Sequence, residues 1–379
     1  MGICTLEFGS FSGGFAMSFS RSWQAVLVSC GVLVSGSLGL ALPSIAQNPN
    51  IPNDNPSADG NLPAEYPAAA PPPAIDPLPT DRQEQEQQQA IDPRIPALQK
   101  DFKGNLWVGG WRGLAQIDPN SGKILARVAV PSDEVNAIVE DKSGRIWVGT
   151  YEGLWRVDPR TKEITAATYT LPSNRILSLL VDKRGYLWVG TDRGLALISP
   201  DQGLVMTTVQ NFPGVSANSM ALDQKGNLWV GTLEGMVHVN TASGRVLYHI
   251  ADVPGGSVQT VAADRFGGVW AGTTSGLLEI DTKVRRVKRE VTQLKGRDVV
   301  SVKFDMAGSA WVGTGRGLLR VNPYNGQLLG QIAGLPSDRI LTLAPDSGKK
   351  LWVGTSEGLA WVHMQTFRSQ PHFTFSQKR

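Results

Sequence analysis

Cysteine is nearly missing from this chain: of 379 residues only Cys4 and Cys30 carry a thiol, and both fall near the N-terminus. A disulfide framework and a cysteine-ligated metal centre are thereby excluded for the rest of the protein. Histidine is almost as scarce, with four residues and no His-x-x-x-His pair. No glycine-rich phosphate loop occurs. Charge of one sign is lacking too: 36 Lys and Arg stand against 33 Asp and Glu, a formal net charge of +3. So small a basic excess gives no reason to expect a nucleic-acid partner. Beyond the leader no long apolar run is present, so the bulk of the chain does not read as membrane-spanning.

What is present is a period. Tryptophan recurs at 107, 147, 188, 229, 270, 311 and 352, with gaps of 40 and then 41 residues. Six residues before each stands an aspartate (Asp101, Asp141, Asp182, Asp223, Asp264, Asp305, Asp346), and glycines follow two and six residues after each, beginning with Gly109 and Gly113. A threonine follows the first glycine in every unit but the first, which has Gly110. An aromatic-marked repeat of about 40 to 45 residues is the signature of propeller blades. The expected fold is all-β: a seven-bladed β-propeller of four-stranded antiparallel blades over residues 94–379.

Local chemistry supports that reading. A short alternating run before each aspartate suits a strand, A, and each Asp-x-x-Gly tetrad suits a tight hairpin turn. The turn at Asp346-Ser347-Gly348-Lys349 moves its glycine forward one place, which predicts a different turn type. Strand B is "LWVGT" and its variants, the Gly-Leu pair opens strand C, and a fourth stretch forms strand D. The tryptophans are expected between adjacent sheets, where burying an indole removes roughly 150 to 250 Å² from water. No donated strand from the N-terminal side is evident, so ring closure is expected to rest on packing. A further outer strand from residues 85–93 is a weak candidate, because "EQEQQQAID" forms strands poorly.

Residues 1–46 have the layout of a secretory signal peptide, with the start at Met17 and cleavage after Ala46. Two other readings stay open: Leu27-Val28-Ser29-Cys30 has the form of a lipid-attachment box, and the apolar run is barely long enough for an uncleaved anchor. Residues 47–93 are rich in Pro, Ala and Gln and are expected to be a disordered spacer. The protein is therefore expected outside the cytoplasm, periplasmic or extracellular. One basic run, Lys283 to Arg289 with Lys295 and Arg297, falls at the outer edge of blade five and reads as a solvated edge that resists pairing.

The unit D-x-x-G-x-L-W-V-G-T-x-x-G-L-x-x-I/V-D-P, seen in Asp141–Pro159 with Ile146 in place of the first Leu, resembles the two-component regulator propeller repeat. That resemblance spans residues 94–375. It implies an exported binding or sensing module working with a separate membrane sensor kinase, since neither a kinase histidine segment nor an ATP-binding part is evident here. It also implies a recognition face made of the B-to-C and D-to-A loops. Variable side chains on a repeated frame are where recognition is encoded. The candidates are Trp111, Arg112, Tyr151, Glu152, Asp192, Arg193, Glu234, Arg316 and Glu357 on the B-to-C tips, and Arg175 and Arg339 on the D-to-A loops, which also hold Asp133 and Glu134. Aromatics mixed with Arg and Glu suit a protein, peptide or carbohydrate ligand. No cofactor or metal is expected, and the chain is expected to be monomeric.

"GNLWVGT" with "IDP" also resembles the streptogramin lyase propellers, which implies a histidine and acidic groups at the channel mouth. Here His238 and His249 fall on strands C and D of blade four, and His363 and His372 on those of blade seven, away from the tips. The seven aspartates mark equivalent turns at the opposite end of the blades. The expectation is a binding protein and not an enzyme; a structural scaffold of the envelope is the alternative.

Overall fold

A computed structural model describes residues 92–111, 113–132, 134–168 and 170–375. The leader and most of the spacer lie outside the described residues. Within them, seven antiparallel sheets of four strands follow one another, each built from four consecutive strands. Blade one comprises Ala97–Lys100, Leu106–Gly110, Gly113–Ile117 and Ile124–Val128, and blade seven comprises Ile340–Ser347, Lys350–Thr355, Gly358–His363 and Ser369–Pro371. Each strand A touches strand A of the next blade, and that of blade seven touches that of blade one. The seven A strands thus ring an axial channel, and the ring closes without an exchanged strand.

The hairpins form for the reason their sequence suggests. In the first, Gly104 N donates to Asp101 O at 2.9 Å and Asn105 N to the Asp101 carboxylate at 2.7 Å. Gly104 takes a φ of 88°, which a side chain would resist. The turn at Asp346 departs as predicted. Gly348 and Lys349 have φ of 63° and 60°, the two positive values of a type I′ hairpin, with Ser347 paired to Lys350 across them.

All seven repeat tryptophans are at most 1% exposed, and each packs on the following blade. Trp107 meets Val135, Ile138 and Val148, and Trp352 meets Ile95, Val108 and Ile117, so the last indole seals the last blade to the first. The glycine two residues later makes this approach possible: a Cβ on Gly149 would lie 2.4 Å from Ile176 of blade three. The aspartates do more than turn the chain. In five blades the carboxylate accepts a hydrogen bond from the indole Nε1, at 2.9 to 3.2 Å. Two blades differ. Asp223 bonds His238 Nε2 at 3.2 Å while His238 stacks on Trp229, and Asp346 turns to accept from Met306 N at 2.8 Å, so neither Trp229 nor Trp352 has an Nε1 partner among the described residues.

Three details were not legible in the sequence. The first strand A begins at Ala97 where Arg94 was expected, because Pro96 removes a ladder donor. A 3-10 turn, Thr292–Leu294, interrupts the otherwise all-β chain after blade five. His372 lies just past the final strand, where His372 N still donates to Leu359 O at 2.8 Å. No helix among the described residues is long and apolar enough to cross a membrane.

Candidate functional site

Antiparallel order within each blade puts the B-to-C turns and the D-to-A connections at one end of the ring. The repeated threonine builds those turns. Thr150 Oγ1 donates to Gly153 O at 3.0 Å and accepts from Glu152 N at 3.1 Å. Thr191, Thr232, Thr273, Thr314 and Thr355 repeat both contacts. With the backbone held inward, the side chains of Glu152, Arg193, Glu234, Arg316 and Glu357 are displayed outward and exposed. Such turns present side chains from fixed positions, a requirement for selective binding.

Three of the predicted residues come together across a blade junction. The Arg175 guanidinium carbon lies 4.9 Å from the Tyr151 ring centroid, and Arg175 Nη1 lies 3.8 Å from Asp192 Oδ2. Asp192 N donates to Arg175 O at 3.3 Å, tying the two connections together. Asp192 Oδ1 is buried and has no hydrogen-bond donor among the described residues. A buried acceptor without a donor is costly.

Beside this group, at the mouth of the channel, Arg94 reaches Asp92 at 2.5 Å and Glu134 at 3.4 Å. The Arg94 hydrogen bond holds the Asp92 carboxyl below its ordinary range, whereas burial raises that of Glu134. Arg94 was absent from the sequence candidates. Its signal was positional, since it precedes buried Ile95, the repeat counterpart of Val135, Ile176 and Ile340, which Glu134, Arg175 and Arg339 precede.

Backbone contacts tie two of the other candidates to neighbouring segments. Glu234 O accepts from His249 Nε2 at 2.6 Å, and Arg339 O accepts from Ser356 N at 3.1 Å. Trp111 borders a cavity of about 260 Å³ between blades seven and one. Arg112 and Asp133 lie outside the described residues.

Sequence reasoning also passed over Lys303. It stands on strand A of blade six, opposite Trp311, with its side chain exposed. Desolvation by the surrounding protein lowers its pKa. The equivalent positions carry Gln99, Val139, Leu180, Ala221, Ala262 and Ala344, so Lys303 is the one charge in that tier.

Part of the basic run of blade five is partnered. Lys288 and Arg289 reach the two Glu279 oxygens at 2.6 and 2.7 Å, and Arg285 lies over the Tyr248 ring at 4.5 Å. The histidines hold the frame as well: His238 bonds Asp223, and His372 Nε2 meets Gly122 O at 2.7 Å.

Comparison with known proteins follows the same lines. A family model described as the two component regulator propeller matches residues 129–152, 170–193, 211–234 and 334–357. Each window runs from a D-to-A connection to the next B-to-C tip. Among solved structures, two extracellular domains from B. thetaiotaomicron are similar, each described as part of a hybrid two component system. One, BT4673, has 21% identity and a TM-score of 0.62 over 73% of this chain and 41% of its own. The other, BT3049, has 20% identity and a TM-score of 0.61 over 72% and 40%. The chain therefore spans about two fifths of those chains' length. No curated protein matches it in sequence.

Proposed function

We propose that this chain, whose repeats are those of the two component regulator propeller family, is an exported recognition module that binds a polar ligand on the B-to-C and D-to-A face. The observation that carries the reading is the Tyr151, Arg175 and Asp192 group. It offers a cation held against an aromatic ring and beside a part-exposed carboxylate, on backbone tied by a hydrogen bond. An aromatic with an Arg at a rigid rim is the composition of binding hot spots. Ligands with hydroxyl or amide donors fit, which means a peptide or a carbohydrate.

The solved extracellular domains of similar fold belong to two component systems, which supports placing the chain outside the cytoplasm and pairing it with a separate membrane sensor. Binding is the better reading than catalysis, because His238 and His372 are engaged with the frame and His249 alone reaches the recognition rim, where its Nε2 is bonded to Glu234 O.

The test is a thermal-shift and calorimetric screen of the intact protein against peptidoglycan, glycan and peptide fragments. A ligand that binds the folded state raises the melting temperature with concentration. A hit whose affinity survives the combined Tyr151→Ala, Arg175→Ala and Asp192→Ala substitutions would show that the rim is not the site. Product release from the bound fragment would replace the binding reading with an enzymatic one.

A further inference from the structure

Six of the seven blade junctions are plugged in the same manner. Val130, Leu171, Phe212, Val253, Leu294 and Leu335 each stand five residues before a buried residue at or just ahead of the next strand A. Each packs into the corresponding interblade core. Five of the six are followed by proline, and the connections read VPSDE at 130–134, LPSNR at 171–175 and LPSDR at 335–339. The seventh junction, between blades seven and one, has no covalent connection. Phe375 of the C-terminal segment reaches the core there. It leaves the cavity of about 260 Å³ that Ile95, Val108, Ala115, Trp111 and Phe375 help to line.

Ile95, Val108 and Ala115 are the blade-one counterparts of Val299, Val312 and Leu319, against which Leu294 packs at its own junction. The socket is thus the one that elsewhere takes an apolar plug. It is widened by small residues, with Ala115 where blade six has Leu319 and Gly110 where it has Thr314. The chain itself contains the matching piece. Upstream of blade one, Leu78-Pro79-Thr80-Asp81-Arg82 repeats the form of Leu335-Pro336-Ser337-Asp338-Arg339, differing only by Thr for Ser. Nine residues separate Arg82 from Asp92. At roughly 3.3 Å per extended residue they span about 30 Å, ample to fold back on the adjoining cavity.

We propose that Leu78–Arg82 docks in cis at the junction of blades seven and one, with Leu78 and Pro79 filling the cavity beside Phe375 and completing the seventh plug. Repetition argues for the occupant, since six equivalent sockets each take an apolar plug. Docking there ties the spacer to the rim of the recognition face and fixes the direction in which the upstream chain leaves the ring.

Cysteine pairing in the full chain tests this directly, once Cys4 and Cys30 are changed to Ser. Leu78→Cys combined with Ala115→Cys should form an intramolecular disulfide under mild oxidation, seen by peptide mapping of the monomer. The same Ala115→Cys with Leu62→Cys, which also precedes a proline, should cross-link at least tenfold more slowly. Equal rates in the two pairs overturn the proposal, as does a Leu78 cross-link found only between two copies. A second measurement does not depend on the cysteine variants: Leu78→Asp should lower the melting temperature by a few degrees and speed amide exchange at 108–115. Unchanged exchange in Leu78→Asp would equally overturn it.

Discussion

Asp305 accepts a hydrogen bond from the indole Nε1 of Trp311 at 2.9 Å, and the same carboxylate caps its own hairpin through Ser309 N at 2.8 Å. One side chain thereby couples a surface turn to the core between blades six and seven. Asp305→Ala should cost about 2–3 kcal/mol, since it leaves a buried indole donor and an uncapped turn. Asp346→Ala should cost roughly half of that or less, because Trp352 already lacks this bond. Denaturant titration of the two variants compares them; equal losses would deny the indole bond its role.

Removing an indole should be more severe. Trp147→Ala empties the junction lined by Ile176, Leu187 and Val189, and a loss of about 3–5 kcal/mol is expected. A melting temperature within a degree of the parent would contradict the packing described for these rings.

Glycine at the close approach should be irreplaceable for reasons of space. Gly149→Ala places a methyl 2.4 Å from Ile176 Cγ2, whereas a Cβ on Gly330 meets nothing within 4 Å. The first should destabilise by about 1–3 kcal/mol and the second should be close to neutral. Thermal melts of the pair decide the matter.

Acid and base should act on Glu140. Burial, with Asp101 and Asp141 nearby, pushes its carboxyl up to about 7, although Phe102 N bonds it. A carboxyl whose folded pKa is raised favours folding below its unfolded value, near 4.5, and that contribution is lost as pH rises through about 7. Glu140→Gln should therefore match the parent near pH 4 and exceed it at pH 8.5 by about 1–2 kcal/mol, a figure reduced for screening by nearby water. Stability curves against pH that run parallel for the two proteins would contradict the shift.

At the rim the effect should fall on binding and not on folding. Arg175 is exposed and its pair with Asp192 is long, so Arg175→Ala should change stability by no more than about 0.5 kcal/mol. Affinity for a ligand found in the screen should drop at least tenfold. Undiminished affinity would move the site elsewhere on the ring.

Much of this was legible in the sequence wherever a rule acts within one repeat. Tryptophan spacing indicated the number of blades, and the displaced glycine of Gly348 foretold the altered turn. The site was legible only in part. Tyr151, Arg175 and Asp192 were all candidates, but so were Arg316, Arg339 and Glu357, and nothing local separates the two sets. Arg94 escaped because it was read as the start of the first strand A, and Lys303 because strand A reads as core.

The sequence by itself determined the blade: its strands, its turns, its glycine of close approach and its buried indole. Those depend on hydrogen bonds and steric limits between residues a few positions apart, which repetition writes seven times over. Only the tertiary structure decided which tips meet, which carboxylates reach an indole, and that blade seven seals against blade one with a cavity beside Phe375. Such contacts join residues of different blades, and their distances are set by the curvature of the closed ring, which no single repeat contains.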